Sequence, residues 1–123
     1  MEYLYLKWID YKTNKKYLIG ALFRDKEKNK YYFKLSQNHI EKALEENVIS
    51  KQMLPFSDFD KIYESDEIFA IFKIRLPKIE KFSNEEIKIL LEDLEIKEYD
   101  EFEYLRKTNG ILMTDNFIVE EEK

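Results

Sequence analysis

Residues 3–9 read Tyr3-Leu4-Tyr5-Leu6-Lys7-Trp8-Ile9, and their side chains alternate between two kinds. Successive residues of a β-strand point to opposite faces of a sheet. The two leucines and the tryptophan therefore share one face, while the two tyrosines and the lysine share the other. This alternation predicts a half-buried strand and a sheet with one apolar face.

Two further segments, residues 17–23 and 30–35, have the aromatic and β-branched content of strands. Short polar links of the length used by antiparallel hairpins separate the three segments. In the third segment, alternation places Tyr32 and Lys34 opposite the apolar residues. The first third of the chain is therefore predicted to be a three-stranded meander with a face of tyrosines and lysines.

The rest of the chain has helical periodicity and recognisable helix caps. Four helices are predicted: one from Ser36 with Asn38 and Glu41 as a capping box, one from Ser65 that stops by Leu76, one from Ser83 with Glu86 as a capping box, and one from Asp100 that ends at Asn109-Gly110. Residues 53–63 lack a clean period and predict an irregular connection with room for a short strand. Residues 111–119 predict a final strand or hairpin.

These elements predict one α+β domain over residues 1–123. We expect a small antiparallel sheet or partial barrel packed with about four α-helices, because 123 residues suffice for one hydrophobic core. The chain has no cysteine, no secretory pattern at its start and no apolar run near the length of a membrane span. A cytoplasmic protein without membrane contact is expected.

The composition argues against most catalytic and cofactor sites. Phosphate-binding loops use several glycines, and this chain has only Gly20 and Gly110. A zinc site needs several imidazoles or thiolates, and the chain offers His39 alone. The carboxylates of the third predicted helix lie mostly opposite its apolar stripe, as on a solvated surface. We therefore expect no cofactor, no metal and no enzymatic activity.

The tyrosine–lysine face has the clearest binding potential. Aromatic rings beside cations can stack nucleic-acid bases and meet phosphates, and residues 1–35 carry nine Lys or Arg against four Asp or Glu. Tyrosine is also enriched in protein interfaces. Alternatively, a helix covers these tyrosines and their role is structural. The face comprises Tyr3, Tyr5, Lys7, Tyr32 and Lys34.

Three ordered motifs give the chain a resemblance to a known family. They are Ile19-Gly20-Ala21-Leu22, then Ile71-Phe72-Lys73-Ile74-Arg75-Leu76-Pro77, and then Asp100-Glu101-Phe102-Glu103-Tyr104-Leu105 followed by Asn109-Gly110. In their order and spacing they resemble the N-terminal subdomain of HipA-type toxin kinases. In that family the subdomain precedes a kinase core that binds ATP, and no such core is present in this sequence.

The resemblance implies a free-standing subdomain, similar to the small HipS proteins that bind a separate HipA-type kinase and hold it inactive. Such inhibitors are thought to press a bulky aromatic from a loop into the kinase. Phe56 and Phe59 are better placed for this than Trp8, although packing beneath their loop is the alternative. Arg75, from the second motif, is also a candidate partner-binding residue. A phage- or defence-related inhibitor with the same fold and another target is a further alternative.

Overall fold

In the computed structural model, which describes residues 2–123, five antiparallel strands form one open sheet. They are β1 (Glu2–Asp10), β2 (Lys15–Asp25), β3 (Lys30–Leu35), β4 (Ile62–Ser65) and β5 (Phe117–Glu120). Their order is β4-β3-β2-β1-β5, so the predicted meander forms the centre and the two short strands form the edges. With four helices, the molecule has the predicted α+β architecture.

The four helices are α1 (Gln37–Glu45), α2 (Ala70–Lys73), α3 (Asn84–Leu94) and α4 (Glu101–Thr108), with 3-10 turns at Lys51–Met53 and Ile79–Lys81. The predicted capping box of α3 is confirmed, because Ser83 and Glu86 each bond the other's backbone N–H. The Asp100 side chain caps α4 as predicted. None of the helices within residues 2–123 is long and apolar enough to cross a membrane.

The first helix begins at Gln37, directly after Ser36 as predicted, but its predicted capping box and the predicted helix start at Ser65 are wrong. Asn38 lies inside α1, so it cannot form a capping box with Glu41, and the Ser36 hydroxyl bonds His39 Nδ1 instead of capping the helix. Ser65 does not open a helix either, because it ends β4, where it pairs with Tyr31 of β3. The second helix therefore begins at residue 70 and has a single turn.

The predicted irregular connection ends in strand β4, which starts at Ile62 and continues to Ser65. Residues 111–113 form no strand, and β5 begins at Phe117, after the polar corner. The last strand is thus shorter than the predicted segment. In that segment Met113 is fully exposed.

The hydrophobic core lies on one face of the sheet, which we call the core face. Leu4 and Leu6 of β1 are fully buried there, together with Phe33 of β3. Helix residues complete the same cluster: Ile40 and Ala43 of α1, Phe72 of α2, and Phe102 and Leu105 of α4. Burial alternates along β1 and β3, which confirms the predicted assignment of residues to the two faces.

A β-bulge in β2 adapts the sheet to the first helix. Leu6 pairs with Gly20 and Lys7 with Leu18, which leaves Ile19 as an extra residue. The Ile19 carbonyl accepts a hydrogen bond from Ser36 N–H at 2.8 Å, immediately before α1. At Gly20 a Cβ would lie 2.5 Å from Phe33 Cζ and 2.5 Å from the Lys34 carbonyl oxygen, so the packing requires glycine.

Candidate functional site

The face opposite the core, which we call the open face, carries the five residues of the predicted tyrosine–lysine surface. The strand register adds residues from β2 and both edge strands. The open face includes Tyr3, Tyr5, Lys7, Lys16, Leu18, Ala21, Phe23, Tyr32, Lys34, Ile62, Glu64, Ile118 and Glu120, of which Leu18 and Ile118 are buried. The core helices pack on the other face, and Tyr3 and Ile62 retain 49% and 57% exposure. The sequence prediction that these residues share a face is therefore confirmed.

Three aromatic rings form a row across the open face. The Tyr3 and Phe23 rings are 5.6 Å apart, and the Phe23 and Tyr32 rings are stacked at 5.1 Å. These three residues lie on neighbouring strands in direct register, Tyr3 opposite Phe23 and Phe23 opposite Tyr32. The backbone pairing therefore fixes the spacing of the row, which offers a rigid aromatic surface.

The two lysines of the predicted tyrosine–lysine surface, Lys7 and Lys34, are bonded to acceptors of the chain itself. Lys7 pairs with Glu120 at 2.9 Å, and Lys16 pairs with the same carboxylate at 2.8 Å. Lys34 donates to the Phe59 carbonyl. Burial acts to raise the pKa of Glu120, but hydrogen bonds from Lys16 and Lys7 outweigh it and lower that pKa. The positive charge available to an external phosphate is correspondingly small.

The structure places Phe56 and Phe59 against the hydrophobic core. The Phe56 ring stacks on Tyr63 at 4.1 Å and lies 5.1 Å from Phe33 and 5.5 Å from Phe69. Both phenylalanines keep partial exposure. These contacts agree with the alternative prediction, in which the two phenylalanines pack beneath their own loop.

Arg75 lies inside the molecule, with no exposed side-chain area. Its guanidinium donates to the Gly110 carbonyl at 2.7 Å and to Asp115 at 2.6 Å, and its Nε donates to the Ile71 carbonyl. These bonds join α2 to the segment between α4 and β5. Arg75 is therefore separated from the open face and serves as an internal cross-link.

A second arginine ties α4 to the sheet. Arg24, 7% exposed, donates to both carboxylate oxygens of Asp100 at 2.8 and 3.0 Å and also pairs with Glu2. Its guanidinium lies 4.3 Å from the centroid of the Phe102 ring. Burial alone would raise the pKa of Asp100, but the hydrogen bonds from Arg24 and from the Glu103 N–H lower it. This buried cluster has a structural role, because it holds the start of α4 against strand β2.

A groove of ≈ 410 Å³ lies beside α2 and the start of α4. Its walls include Ala70, Ile74, Leu76, Pro77, Ile79 and Tyr99. Burial, and then the nearby charge of Glu101, raise the pKa of Tyr99 to about 12, so its phenol is neutral at physiological pH. The groove suits apolar packing more than proton transfer. Within residues 2–123, no group of three His, Asp or Glu side chains is placed to hold a metal ion.

Phe23, the central ring of the aromatic row, was missing from the sequence-predicted site. The apolar run Tyr17-Leu18-Ile19 contains the bulge, so alternation counted from the start of β2 loses its phase. Counting backwards from Arg24 would have placed Phe23 and Ala21 together on the side opposite Leu22. The signal was present, but the bulge concealed it.

Comparisons with protein-family models, with curated proteins and with solved structures found no match.

Proposed function

We propose that this chain is a non-catalytic protein-binding module whose open face occupies the surface of a partner. The observation that carries the proposal is the aromatic row of Tyr3, Phe23 and Tyr32 on a face that the core helices leave uncovered. Aromatic side chains on a rigid support contribute much of the binding energy at protein interfaces, and they lose little conformational entropy on binding.

The electrostatics of the open face favour a protein over a nucleic acid. Glu64 and Glu120 lie on the same face as the tyrosines, and Lys7 and Lys34 are held by acceptors of the chain. A nucleic-acid surface gains most of its affinity from cations that are free to neutralise phosphates. A partner protein requires no such excess of positive charge.

The partner that we propose is a HipA-type serine/threonine kinase, which the module would bind and neutralise. This part of the proposal depends on the ordered resemblance of the three sequence motifs to the N-terminal subdomain of those kinases. Inhibition would come from occupying the kinase surface, without any reaction performed by this chain.

The test is to mix the purified chain with a purified HipA-type kinase, and to measure complex formation by calorimetry together with kinase autophosphorylation. We expect Phe23→Ala and Tyr3→Ala each to weaken the complex about 10-fold or more, because interface aromatics commonly contribute over 1 kcal/mol. Tyr11→Ala is the matched control, since Tyr11 is 56% exposed in the β1–β2 turn, away from the aromatic row. Absence of binding at micromolar concentration would remove the kinase proposal.

Single-stranded nucleic-acid binding is the second candidate, and the stacked pair Phe23–Tyr32 is the observation that favours it. It requires an affinity for an oligonucleotide that falls steeply with salt and with Tyr5→Ala. Binding that is absent or insensitive to salt would exclude it.

A further inference from the structure

The two edges of the sheet differ in how their backbone groups are satisfied. At the β5 edge, Val119 N–H donates to the Asn109 carbonyl at 2.8 Å, and the Asn109 amide donates to the Val119 carbonyl at 3.0 Å. At the β4 edge, no backbone group of Ile62–Ser65 bonds to a segment outside the sheet within residues 2–123. Strand β4 is therefore an open edge, of the kind that can accept another strand.

The open edge is continuous with the open face. Glu64 pairs with Tyr32, the end of the aromatic row, and Ile62 pairs with Lys34. Ile62 is a large apolar residue, yet 57% of its surface is exposed. An extended segment bonded to β4 would lie beside these residues, and its side chains would continue the same surface.

The charge around the open edge is strongly negative. Residues 58–67 contain five carboxylates and one lysine. Asp66 pairs with Lys30, and in the part of the chain that the structure describes the other four carboxylates form no ion pair. The lysine, Lys61, has its ammonium 4.9 Å from the centroid of the Tyr63 ring. A segment that carries Lys or Arg would complement this charge.

We propose that β4 is a docking edge, which accepts an extended basic segment of the partner protein as a sixth strand of the sheet. The inference rests on the proposed protein-binding function and specifies how the partner attaches. A second copy of this chain is disfavoured as the occupant, because pairing two β4 edges would bring two acidic segments together. Backbone hydrogen bonds would supply the attachment, and the carboxylates would select a basic sequence.

The first experiment uses two synthetic peptides of six residues with blocked ends, Lys-Val-Lys-Val-Lys-Val and Glu-Val-Glu-Val-Glu-Val. Backbone amide shifts and hydrogen exchange of the full chain are recorded by NMR at millimolar peptide. We expect the basic peptide to shift the β4 amides and slow the exchange of those that point outwards, and the acidic peptide to do neither. If the basic peptide leaves the amides of residues 62–65 unchanged, the proposal is overturned.

A charge reversal provides the matched comparison. Glu64→Lys, at an exposed position of the edge, should weaken the binding of the basic peptide about 2- to 5-fold, as expected for an exposed charge pair. Glu98→Lys makes the same charge change in the exposed α3–α4 loop and should leave binding unchanged. Equal effects of the two variants would show non-specific attraction and would contradict a docking edge.

Hydrogen exchange in the kinase complex separates this inference from the proposed function. A complex that protects β4 supports both. A complex whose formation leaves the β4 amides exchanging as in the free chain overturns the docking edge and leaves the kinase proposal intact. If no kinase complex forms but the basic peptide still adds to β4, the kinase proposal fails and the docking edge stands. A homodimer formed through β4, detected by sedimentation, would also overturn the inference.

Discussion

The two faces of the sheet use the same residue types for different purposes. Phe33 on the core face is fully buried, and its ring lies within 6.4 Å of Phe56, Phe69 and Phe72. Phe23 on the open face is half-buried between two tyrosines. The strands carrying these two phenylalanines are neighbours, and each has an aromatic or apolar residue on both faces. Position along the strand, relative to the helices, therefore separates a core residue from a surface residue better than hydrophobicity does.

The sharpest test of this comparison truncates the same side chain on the two faces. Phe33→Ala should lower the free energy of unfolding by about 3–5 kcal/mol, because it leaves a cavity among three rings. Phe23→Ala should cost about 1 kcal/mol, the scale of the aromatic pairs that it loses. Urea denaturation of both variants measures the difference. Similar losses would mean that the open face belongs to the folding core.

A second test adds atoms to the two faces at neighbouring positions. Gly20→Ala places a Cβ 2.5 Å from Phe33 Cζ and the Lys34 carbonyl, so we expect a loss of about 1–3 kcal/mol from overpacking. Ala21→Val adds two carbons on the half-exposed open face and should change stability by less than about 0.5 kcal/mol. Thermal unfolding of the two variants provides the measurement. A stable Gly20→Ala variant would contradict the close packing of Phe33 over β2.

A third comparison concerns the carboxylates that pair with cations on each face, Asp100 and Glu120. Both have a lowered pKa in the folded protein, so the unfolded chain takes up protons first as the pH falls. The stabilisation is complete above the unfolded pKa values, near pH 4, and is lost as the pH falls through the folded values. Unfolding measured from pH 6 to pH 2 should therefore show falling stability.

Substituting each carboxylate in turn shows which face is responsible for the loss of stability at low pH. Asp100→Asn should remove more of the pH dependence than Glu120→Gln does. Asp100 accepts two bonds from the buried Arg24, whereas one partner of Glu120, Lys16, is 43% exposed and screened by solvent. Asparagine can still cap α4, so helix capping is retained in the comparison. The opposite ranking would show that the ion pairs of the open face contribute more to folding than the Arg24 cluster.

Features with a local physical cause were predictable from the sequence. Strict alternation gave the faces of β1 and β3, and the reciprocal Ser83–Glu86 bonds gave the start of α3. The candidate surface followed from the same alternation, which explains why its five residues are found together. The partners that the lysines of this surface use, Glu120 and the Phe59 carbonyl, lie far away in sequence and had no local signal.

Features decided by distant contacts were mispredicted or missed. Ser65-Asp66-Glu67 has the local chemistry of a helix start, but pairing of Ser65 with Tyr31 in β3 extends the strand. Arg75 was predicted to be a partner-binding residue, but three segments that converge only in the folded chain enclose it. Local propensity cannot anticipate either outcome, because the competing interactions span more than thirty residues.

Helix α3 extends the comparison to a third surface. Its apolar stripe was the clearest helical pattern in the sequence, yet no residue of α3 is fully buried and Ile89 is 51% exposed. A helix with few buried contacts should open without unfolding the sheet. The capping box at Ser83 should then stabilise α3 locally, and it should contribute nothing to the stability of the core face.

Ser83→Ala tests this and has the smallest expected effect. It removes a cap worth about 1 kcal/mol, so amide exchange within Asn84–Leu94 should rise about 5-fold. The urea midpoint of the whole chain should hardly move, because α3 contributes no residue to the core cluster. Ser57→Ala, at an exposed position outside the helices, is the control. A loss of about 1 kcal/mol in global stability would instead place α3 in the same cooperative unit as the core face.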